Sequence, residues 1–477
     1  MNTKRILALV LALLMVFALT ACGGNGEEII EEEIQYEYVS GEQTGAQTGN
    51  QTGNQTGNQT GNQTGNQTGN QTGQSGAVDA SKYKGTTVRY ATWKDPEYNE
   101  DGVTVKSFKE KYGINVQIDL INEGEYVKKI SGLIAANAGD IPDVFFCNES
   151  FPACLKCLQP IANAKIDFND PIWDKTFNEY FTINGDTYLV NTVSNIWNET
   201  DMLFYNKAVL RQAGISDPDS YIQTLVDQGK WTWATFETLM QQVKNIGVGY
   251  IPAYLQQQPF ICSTGANWFS YSNGEFKANF NDTLYDATKQ VAAWRQAGLV
   301  STQMTDMGQY FTNDKMGFAV TNAWGLKTTG YFGGIIGKKM DPNNIGFTYI
   351  PDMSASHKTI ACGKTRGYGL VKGASNPVGT GIFLRYYLDV NNYDCSTAFI
   401  SKKAEDFFFK VTTPERFQKQ NFYNLDGLGI VGPSSTAHGF TDYSPDQVEG
   451  VMKASIPGFN NAAKQLNDNI ATDLAAR

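Results

Sequence analysis

Apolar positions between residues 88 and 147 alternate between the period of a strand and the period of a helix. Val88–Trp93 predicts a first strand, and the alternation of Ile114, Val116 and Ile118 predicts a second. The remaining apolar positions mark a helix at Val105, Phe108 and Tyr112, a helix at Tyr126, Ile130, Leu133 and Ile134, and a strand at Val144–Cys147. This β-α-β-α-β order predicts an open parallel sheet with helices on both faces.

The same periods return further along the chain. A helix beginning at Thr232 carries one apolar stripe, and a second helix runs from about Asp282 to Gly298. Trp294 lies on the stripe of that second helix, so we expect it in a core rather than at a binding site. Gly317–Thr321 predicts another apolar strand.

Polar and aromatic residues follow the predicted strands at their carboxyl ends. Trp93 and Glu97 follow the first strand, Asn148 and Glu149 follow the third, and Trp324 follows Thr321. Open α/β sheets bind ligands beyond the carboxyl ends of their strands, so these residues are candidates for a binding cleft.

The amino terminus has the pattern of an export signal. Lys4 and Arg5 precede the apolar run Ile6–Ala18, which is too short to span a bilayer. Leu19–Cys22 (Leu-Thr-Ala-Cys) resembles the lipobox of bacterial lipoproteins. The resemblance implies a signal peptide over 1–21, a lipid on Cys22, and a location at the extracellular face of the cell membrane. The alternative is an ordinary signal peptide with an incidental cysteine.

Residues 22–81 predict a disordered tether. An acidic stretch is followed by a four-residue repeat, with six copies of Gln-Thr-Gly-Asn over 47–70. The repeat has no large aliphatic side chain with which to offset its ordering entropy. The folded part therefore begins near Lys82, and its length favours two domains.

Charge and cysteine usage narrow the classes of function. The net charge of the 477 residues is -10, which is a poor fit to nucleic acid. Six cysteines remain besides Cys22, and they leave three alternatives open: a disulfide such as Cys154–Cys157, a zinc site, or simple thiols. With two histidines in the chain, neither at a ligand-like spacing, we expect no metal site and no cofactor.

The folded part, over roughly residues 85–400, resembles the extracellular solute-binding proteins of carbohydrate ABC importers, of the maltose-binding-protein type. The segments that carry the resemblance are Phe108–Val116, Ala138–Val144, Gly185–Val190, Leu203–Lys207 with Ala213–Ile215, Thr232–Trp233 and Phe311–Phe318. In the last of them, Asp314 stands where the family usually has glycine. Asp143, in the second, is expected to bond backbone rather than ligand.

The resemblance implies an α/β fold of the periplasmic-binding-protein type (type II). Two lobes, each an open mixed sheet flanked by helices, are joined by a hinge. We expect residues 82–200 plus 351–403 in lobe 1 and residues 201–350 plus 404–477 in lobe 2.

The resemblance also implies a non-enzymatic, monomeric protein that captures a sugar between its lobes and delivers it to the membrane subunits of an ABC transporter. Aromatic rings can cover the C–H faces of a sugar, and charged or amide groups can bind its hydroxyls. The predicted ligand-binding residues are Trp93, Glu97, Asn148, Glu149, Trp197, Glu199, Trp268, Trp324 and Arg366.

Cys147, where some sugar binders carry an aromatic residue, argues against a long oligosaccharide groove. The alternatives are a glycan-binding adhesin, the sensor partner of a membrane kinase, or a glycosidase.

Overall fold

The structure is a computed structural model that describes eleven segments and three single residues. The segments are 78–93, 105–148, 151–193, 200–272, 274–301, 304–328, 340–364, 366–389, 399–408, 420–423 and 439–475, and the single residues are 330, 392 and 437. Cys22, the repeat and the predicted tether up to residue 77 lie outside the described residues. The last four residues of the predicted tether, 78–81, are instead part of the folded region, where Asp79 caps a 3₁₀ helix over Ala80–Tyr83. None of the described helices is long and apolar enough to cross a membrane.

Strands and helices alternate along much of the described chain. The strands are β1 Thr87–Thr92, β2 Asn115–Leu120, β3 Val144–Asn148, β4 Thr182–Ile183, β5 Asp186–Thr187, β6 Leu189–Val190, β7 Asp201–Asn206, β8 Ile251–Leu255, β9 Phe269–Ser272, β10 Glu275–Ala278, β11 Val300–Ser301, β12 Met316–Asn322, β13 Ile345–Thr348, β14 Ala361–Lys364, β15 Arg366–Leu370 and β16 Gln420–Tyr423. The helices are α1 Val105–Tyr112, α2 Tyr126–Ala135, α3 Lys175–Tyr180, α4 Lys207–Gln212, α5 Pro218–Asp227, α6 Trp233–Lys244, α7 Gln257–Cys262, α8 Asp282–Gln296, α9 Met304–Thr312, α10 Pro377–Tyr387, α11 Lys402–Phe408 and α12 Pro445–Ala475.

Two open mixed sheets organise these elements. The first sheet has the order β2-β1-β3-β15-β6, and the second has the order β11-β8-β12-β7-β13. In the first sheet, β1 pairs in parallel with both β2 and β3, which confirms the parallel arrangement predicted from the apolar pattern. β15 runs antiparallel between β3 and β6, so its first residue lies at the end of the sheet where β3 finishes.

Among the strands that the structure describes, two segments of the chain connect one sheet to the other. The chain leaves the first sheet after β6 and enters the second at β7, then returns from β13 to β15. The two segments meet at an antiparallel bridge between Thr200 and Gly363. The lobe boundaries at residues 200, 350 and 403 remain predictions.

One apolar cluster lies under both sheets and the carboxyl-terminal helix. It includes Phe145 of the first sheet, Val320 of the second and Met452 of α12. The opposite face of each sheet has its own cluster, with Phe383 of α10 on the first and Phe408 of α11 on the second. Both sheets are therefore covered on two faces, as expected for strands with near-continuous apolar runs.

The segment Leu203–Lys207 is a structural junction. Asn206 caps α4, since its Oδ1 accepts from the backbone N–H groups of Ala208 and Val209 at 3.0 and 3.2 Å. Its Nδ2 donates to Oδ1 of Asp314 at 2.8 Å. Asp314 has a φ of +53°, a left-handed conformation that explains why glycine suits this position.

Asp143, just before β3, joins this strand to β1 and to the N-terminus of α10. Its fully buried carboxylate accepts from the backbone N–H groups of Arg89 at 2.8 Å and Asn376 at 2.7 Å, and from Ser375 Oγ at 3.2 Å. The prediction that Asp143 bonds backbone rather than ligand is confirmed.

Candidate functional site

The carboxyl ends of the parallel strands in the first sheet form one continuous row, which we call the first edge. Leu120 ends β2 and lies beside Thr92 of β1, after which Trp93 follows. Asn148 ends β3 and pairs with Arg366, the first residue of β15. At a strand spacing of about 4.8 Å, this five-stranded edge spans roughly 19 Å.

The first edge presents apolar side chains to solvent. Trp93 is 45% exposed, Leu120 is 57% exposed, and Val193, three residues beyond β6, is 37% exposed. The other exposed large hydrophobic side chains in the described part of the chain are Tyr221, Val248 and Tyr443. An exposed apolar group at a strand end marks a surface that can receive the apolar face of a ligand.

A buried amide fixes the backbone of Arg366 at this edge. Asn191, just beyond β6, is fully buried, and its Nδ2 donates to the carbonyl oxygen of Arg366 at 2.9 Å. The carboxamide oxygen of Asn191 accepts from the N–H of Thr192 at 2.9 Å. The start of β15 is therefore held on both sides, by β3 through the strand ladder and by Asn191 through its side chain.

The second sheet has a corresponding row, the second edge, beside the bridge between the crossing segments. β8 and β12 are parallel and end at Leu255 and Asn322, and Asn322 pairs with Asp201. A 3₁₀ turn over Ala323–Leu326 follows β12 and carries the partly buried Trp324. The N–H of Ala323 donates to the carbonyl oxygen of Thr200 at 2.8 Å, which ties this turn to the crossing segment.

The polar groups behind the second edge are buried. Asp201 is 5% exposed, and the thiol of Cys362 in β14 donates to the carbonyl oxygen of Pro259 at 3.2 Å and contacts Asp201 Oδ2 at 3.7 Å. Burial, and then the nearby charge of Asp201, raise the pKa of the Cys362 thiol well above its usual value. The thiol therefore remains protonated and serves as a donor.

The structure brings some predicted site residues to these edges and leaves others elsewhere. Trp93, Asn148 and Arg366 meet at the first edge, and Trp324 lies at the second. Trp268 is 1% exposed and packs against Phe280, Phe440 and Phe459, so it is a core residue in this conformation and is left out of the site. The predicted residues Glu97, Glu149, Trp197 and Glu199 lie outside the described residues.

Two further residues discussed from the sequence, Trp294 and Cys147, are buried. Trp294 is 1% exposed and donates from Nε1 to Glu237 at 2.8 Å, which confirms its core assignment. Cys147 is fully buried beneath the first sheet rather than facing its edge. Its side chain therefore does not line the first edge, and the expectation that a long oligosaccharide groove is disfavoured remains a prediction.

Of the alternatives for the cysteines, the structure has thiols. The five described cysteines, Cys147, Cys154, Cys157, Cys262 and Cys362, are all buried and unbridged. No group of three or more His, Cys, Asp or Glu side chains that could hold a metal ion occurs in the part of the chain that the structure describes.

Two exposed apolar residues of the first edge were not predicted from the sequence, Val193 and Leu120. Of the two, only Leu120 lies within a strand. It follows the alternating positions of β2 and is the last residue of that strand. A lone leucine at the carboxyl end of a predicted strand, preceded by the polar Asp119, was the available signal.

Two open α/β sheets, with strand ends beside the segments that connect their described strands, define the class of two-lobed binding proteins. The chain belongs to the family of bacterial extracellular solute-binding proteins, whose model matches residues 104–393. The family and the similar structures are binding proteins rather than enzymes.

Three known proteins illustrate the likeness. An erythritol/L-threitol-binding protein of Mycolicibacterium smegmatis is 26% identical over 216 residues, which cover 37% of this chain and 44% of that protein. The match thus spans less than half the length of this curated relative. The galacto-N-biose-/lacto-N-biose I-binding protein of the ABC transporter from Bifidobacterium longum has a TM-score of 0.58 and 14% identity, over 81% of this chain and 98% of that one. The cyclic alpha-maltosyl-1,6-maltose binding protein from Arthrobacter globiformis has a TM-score of 0.55 and 13% identity, over 81% and 99%. At these identities the two structures show the fold.

Proposed function

We propose that the chain captures a small carbohydrate or polyol between the first and second edges and releases it unchanged to the membrane subunits of an ABC importer. The observation that carries this proposal is the first edge itself, where Trp93 and Leu120 are exposed beside Asn148 and Arg366. The names of the relatives, which are sugar- or polyol-binding proteins, support the same class of ligand.

The chemistry of the edges suits such a ligand. Sugars and polyols present C–H groups on one face and hydroxyls around the rim. Trp93 and Leu120 provide apolar area, while the guanidinium of Arg366 can donate two parallel hydrogen bonds to hydroxyl oxygens. Trp324 provides a second aromatic ring from the other sheet.

Closure follows from the division of the site between two sheets. Neither edge alone can surround a polar ligand, so a ligand that contacts both stabilises the closed arrangement by its differential affinity. The two segments that meet at the Thr200–Gly363 bridge are the proposed hinge. Importer subunits would then distinguish the closed form from the open one.

We further propose that Cys22 carries the lipid anchor and that the residues between Cys22 and the 3₁₀ helix Ala80–Tyr83 form the tether between membrane and folded part. Cys22→Ser should block lipidation and release the protein from the membrane fraction. A Ser variant that still partitions with membranes as a mature lipoprotein would show that the anchor lies elsewhere.

A thermal-shift screen of the full chain with Cys22→Ser tests the ligand class. The screen should include tetritols, monosaccharides, maltose, a polyol phosphate and amino acids, because a ligand that binds only the folded state raises its melting temperature. We expect a shift with a sugar or polyol and none with amino acids. A shift with amino acids alone would contradict the proposal, and release of a hydrolysed product from a sugar would indicate a glycosidase.

A further inference from the structure

Three buried cysteines lie behind the first edge. Cys147 is the penultimate residue of β3, and Cys154 and Cys157 lie in the 3₁₀ helix Ala153–Cys157 that follows. All three side chains are 0% exposed. The Sγ atoms of Cys147 and Cys154 are 3.5 Å apart, which is contact distance.

The side-chain directions select one pair out of the three. Cys157 turns towards α2, where its Sγ lies 3.1 Å from Ser131 Oγ and donates to the carbonyl oxygen of Val127 at 3.6 Å. Cys154 instead contacts Cys147 across the chain segment between them. A disulfide bond is about 2.05 Å long, so the two sulfur atoms need to approach by about 1.5 Å.

We propose that Cys147 and Cys154 form an intramolecular disulfide when this extracellular protein folds outside the cytoplasm. The bond closes a covalent ring that contains Asn148, and so fixes the carboxyl end of β3 to the following helix. On the proposed function, it also restrains the centre of the first edge. The family description places these proteins in a compartment where disulfides persist.

The oxidant is an external disulfide, either a small-molecule disulfide or a thiol–disulfide oxidoreductase. One protein thiolate attacks a sulfur of that disulfide and displaces a thiol. The second protein thiolate then attacks the mixed disulfide and displaces the other thiol. The protein loses two protons and two electrons, and the external disulfide becomes two thiols. Because both cysteines are fully buried in the folded molecule, exchange takes place before the core closes around them.

The test uses the full chain with Cys22→Ser, unfolded and refolded in a mixture of reduced and oxidised glutathione. Remaining thiols are blocked with N-ethylmaleimide in denaturant, and the protein is digested without reduction. We expect a cross-linked peptide pair containing Cys147 and Cys154, with Cys157 alkylated. Complete alkylation of all three cysteines, or a bond between Cys154 and Cys157, would overturn the proposal.

Two matched variants and one physical readout complete the experiment. Cys157→Ser should keep the cross-link, and Cys154→Ser should abolish it and leave Cys147 alkylated. The Cys22→Ser chain refolded with the bond should melt a few degrees above the same chain refolded under reduction. A melting temperature at or below that of the reduced chain would contradict a bond that fits this fold. None of these measurements includes a solute. A negative result would therefore contradict the disulfide without bearing on the proposed solute binding.

Discussion

The tryptophans of the two sheets differ in their surroundings. In the first sheet, Trp93 follows β1 and is 45% exposed, whereas Trp173, in the apolar cluster on one face of that sheet, is 3% exposed. Around the second sheet, the rings of Trp231, Trp233, Trp268 and Trp294 are each 4% exposed or less, and only Trp324, just past β12, is partly open among the described tryptophans of that region. The contrast shows that position relative to a strand end, rather than residue type, separates a ligand-facing ring from a packing ring in this fold.

The largest expected effect is the loss of stability on removing Trp268, one of the buried tryptophans. Trp268→Ala removes a ring that packs against Phe440 and Phe459, and should lower the free energy of unfolding by about 3–5 kcal/mol. Trp93→Ala is the control, because its ring is 45% exposed and its removal should leave the denaturation midpoint nearly unchanged. Equal losses of stability in the two variants would contradict the distinction between the buried ring of Trp268 and the exposed ring of Trp93.

The first sheet also depends on Asp143, which precedes β3 and so lies at the end of that strand opposite the first edge. Asp143→Ala leaves the buried N–H groups of Arg89 and Asn376 without their acceptor, and should cost about 2–4 kcal/mol of stability in chemical denaturation. Asp140→Ala, three residues earlier and exposed, should cost almost nothing. A mild effect at position 143 would show that the carboxylate does not hold this sheet together.

These two residues also show what the sequence could and could not predict. Asp143 was placed correctly because Pro142 and the buried strand after it define its local setting. Trp268 was misplaced because the loop Gly265–Trp268 has the composition of a surface loop, while the rings that bury it come from Phe440 and Phe459, far along the chain. Long-range packing of that kind leaves no local pattern.

The strands were predicted more reliably than the site for a similar reason. Apolar periodicity identifies β1, β3 and β12 with bounds close to those observed, and the carboxyl-end rule then selects Trp93, Asn148 and Trp324. The pairing of Arg366 with Asn148 depends on an antiparallel strand that joins the sheet more than 200 residues later. The spacing of residues along the sequence does not indicate which distant strands pair with each other.

Leu120 tests whether exposed apolar residues at strand ends contact the ligand. Leu120→Ser should weaken binding of the ligand found by screening about two- to fivefold. The side chain is 57% exposed, so the substitution removes apolar area that would contact the ligand and removes little area that contacts the core. Titration calorimetry measures the change. Val248→Ser is the matched control, since Val248 is also exposed but lies between two glycines away from the strand ends. Equal affinities for the two variants would remove Leu120 from the site.

The smallest effect concerns an ion pair between α8 and α12. Hydrogen bonds from Lys289 and then Lys453 lower the pKa of Glu449 to about 2 from its usual value of 4.5. A carboxyl with a depressed pKa in the folded state stabilises the protein above pH 4.5, and this contribution disappears as the pH falls towards 2. Glu449→Gln should therefore lower the melting temperature slightly at neutral pH and not at all near pH 2.

The control for that variant is Asp468→Asn, which removes an exposed pair with Lys464 within α12. It should leave the melting temperature unchanged across the same range of pH. A difference between Glu449→Gln and wild type that grows as the pH falls would contradict the sign of the effect.

The central claim is that one ligand contacts tryptophans from both sheets, and titration calorimetry of Trp93→Ala and Trp324→Ala tests it most directly. Each substitution should weaken binding of the same sugar or polyol by about 1–3 kcal/mol, or roughly ten- to a hundredfold, while Trp93→Ala keeps the wild-type melting temperature without ligand. Wild-type affinity in both variants would show that the ligand does not lie between the two edges.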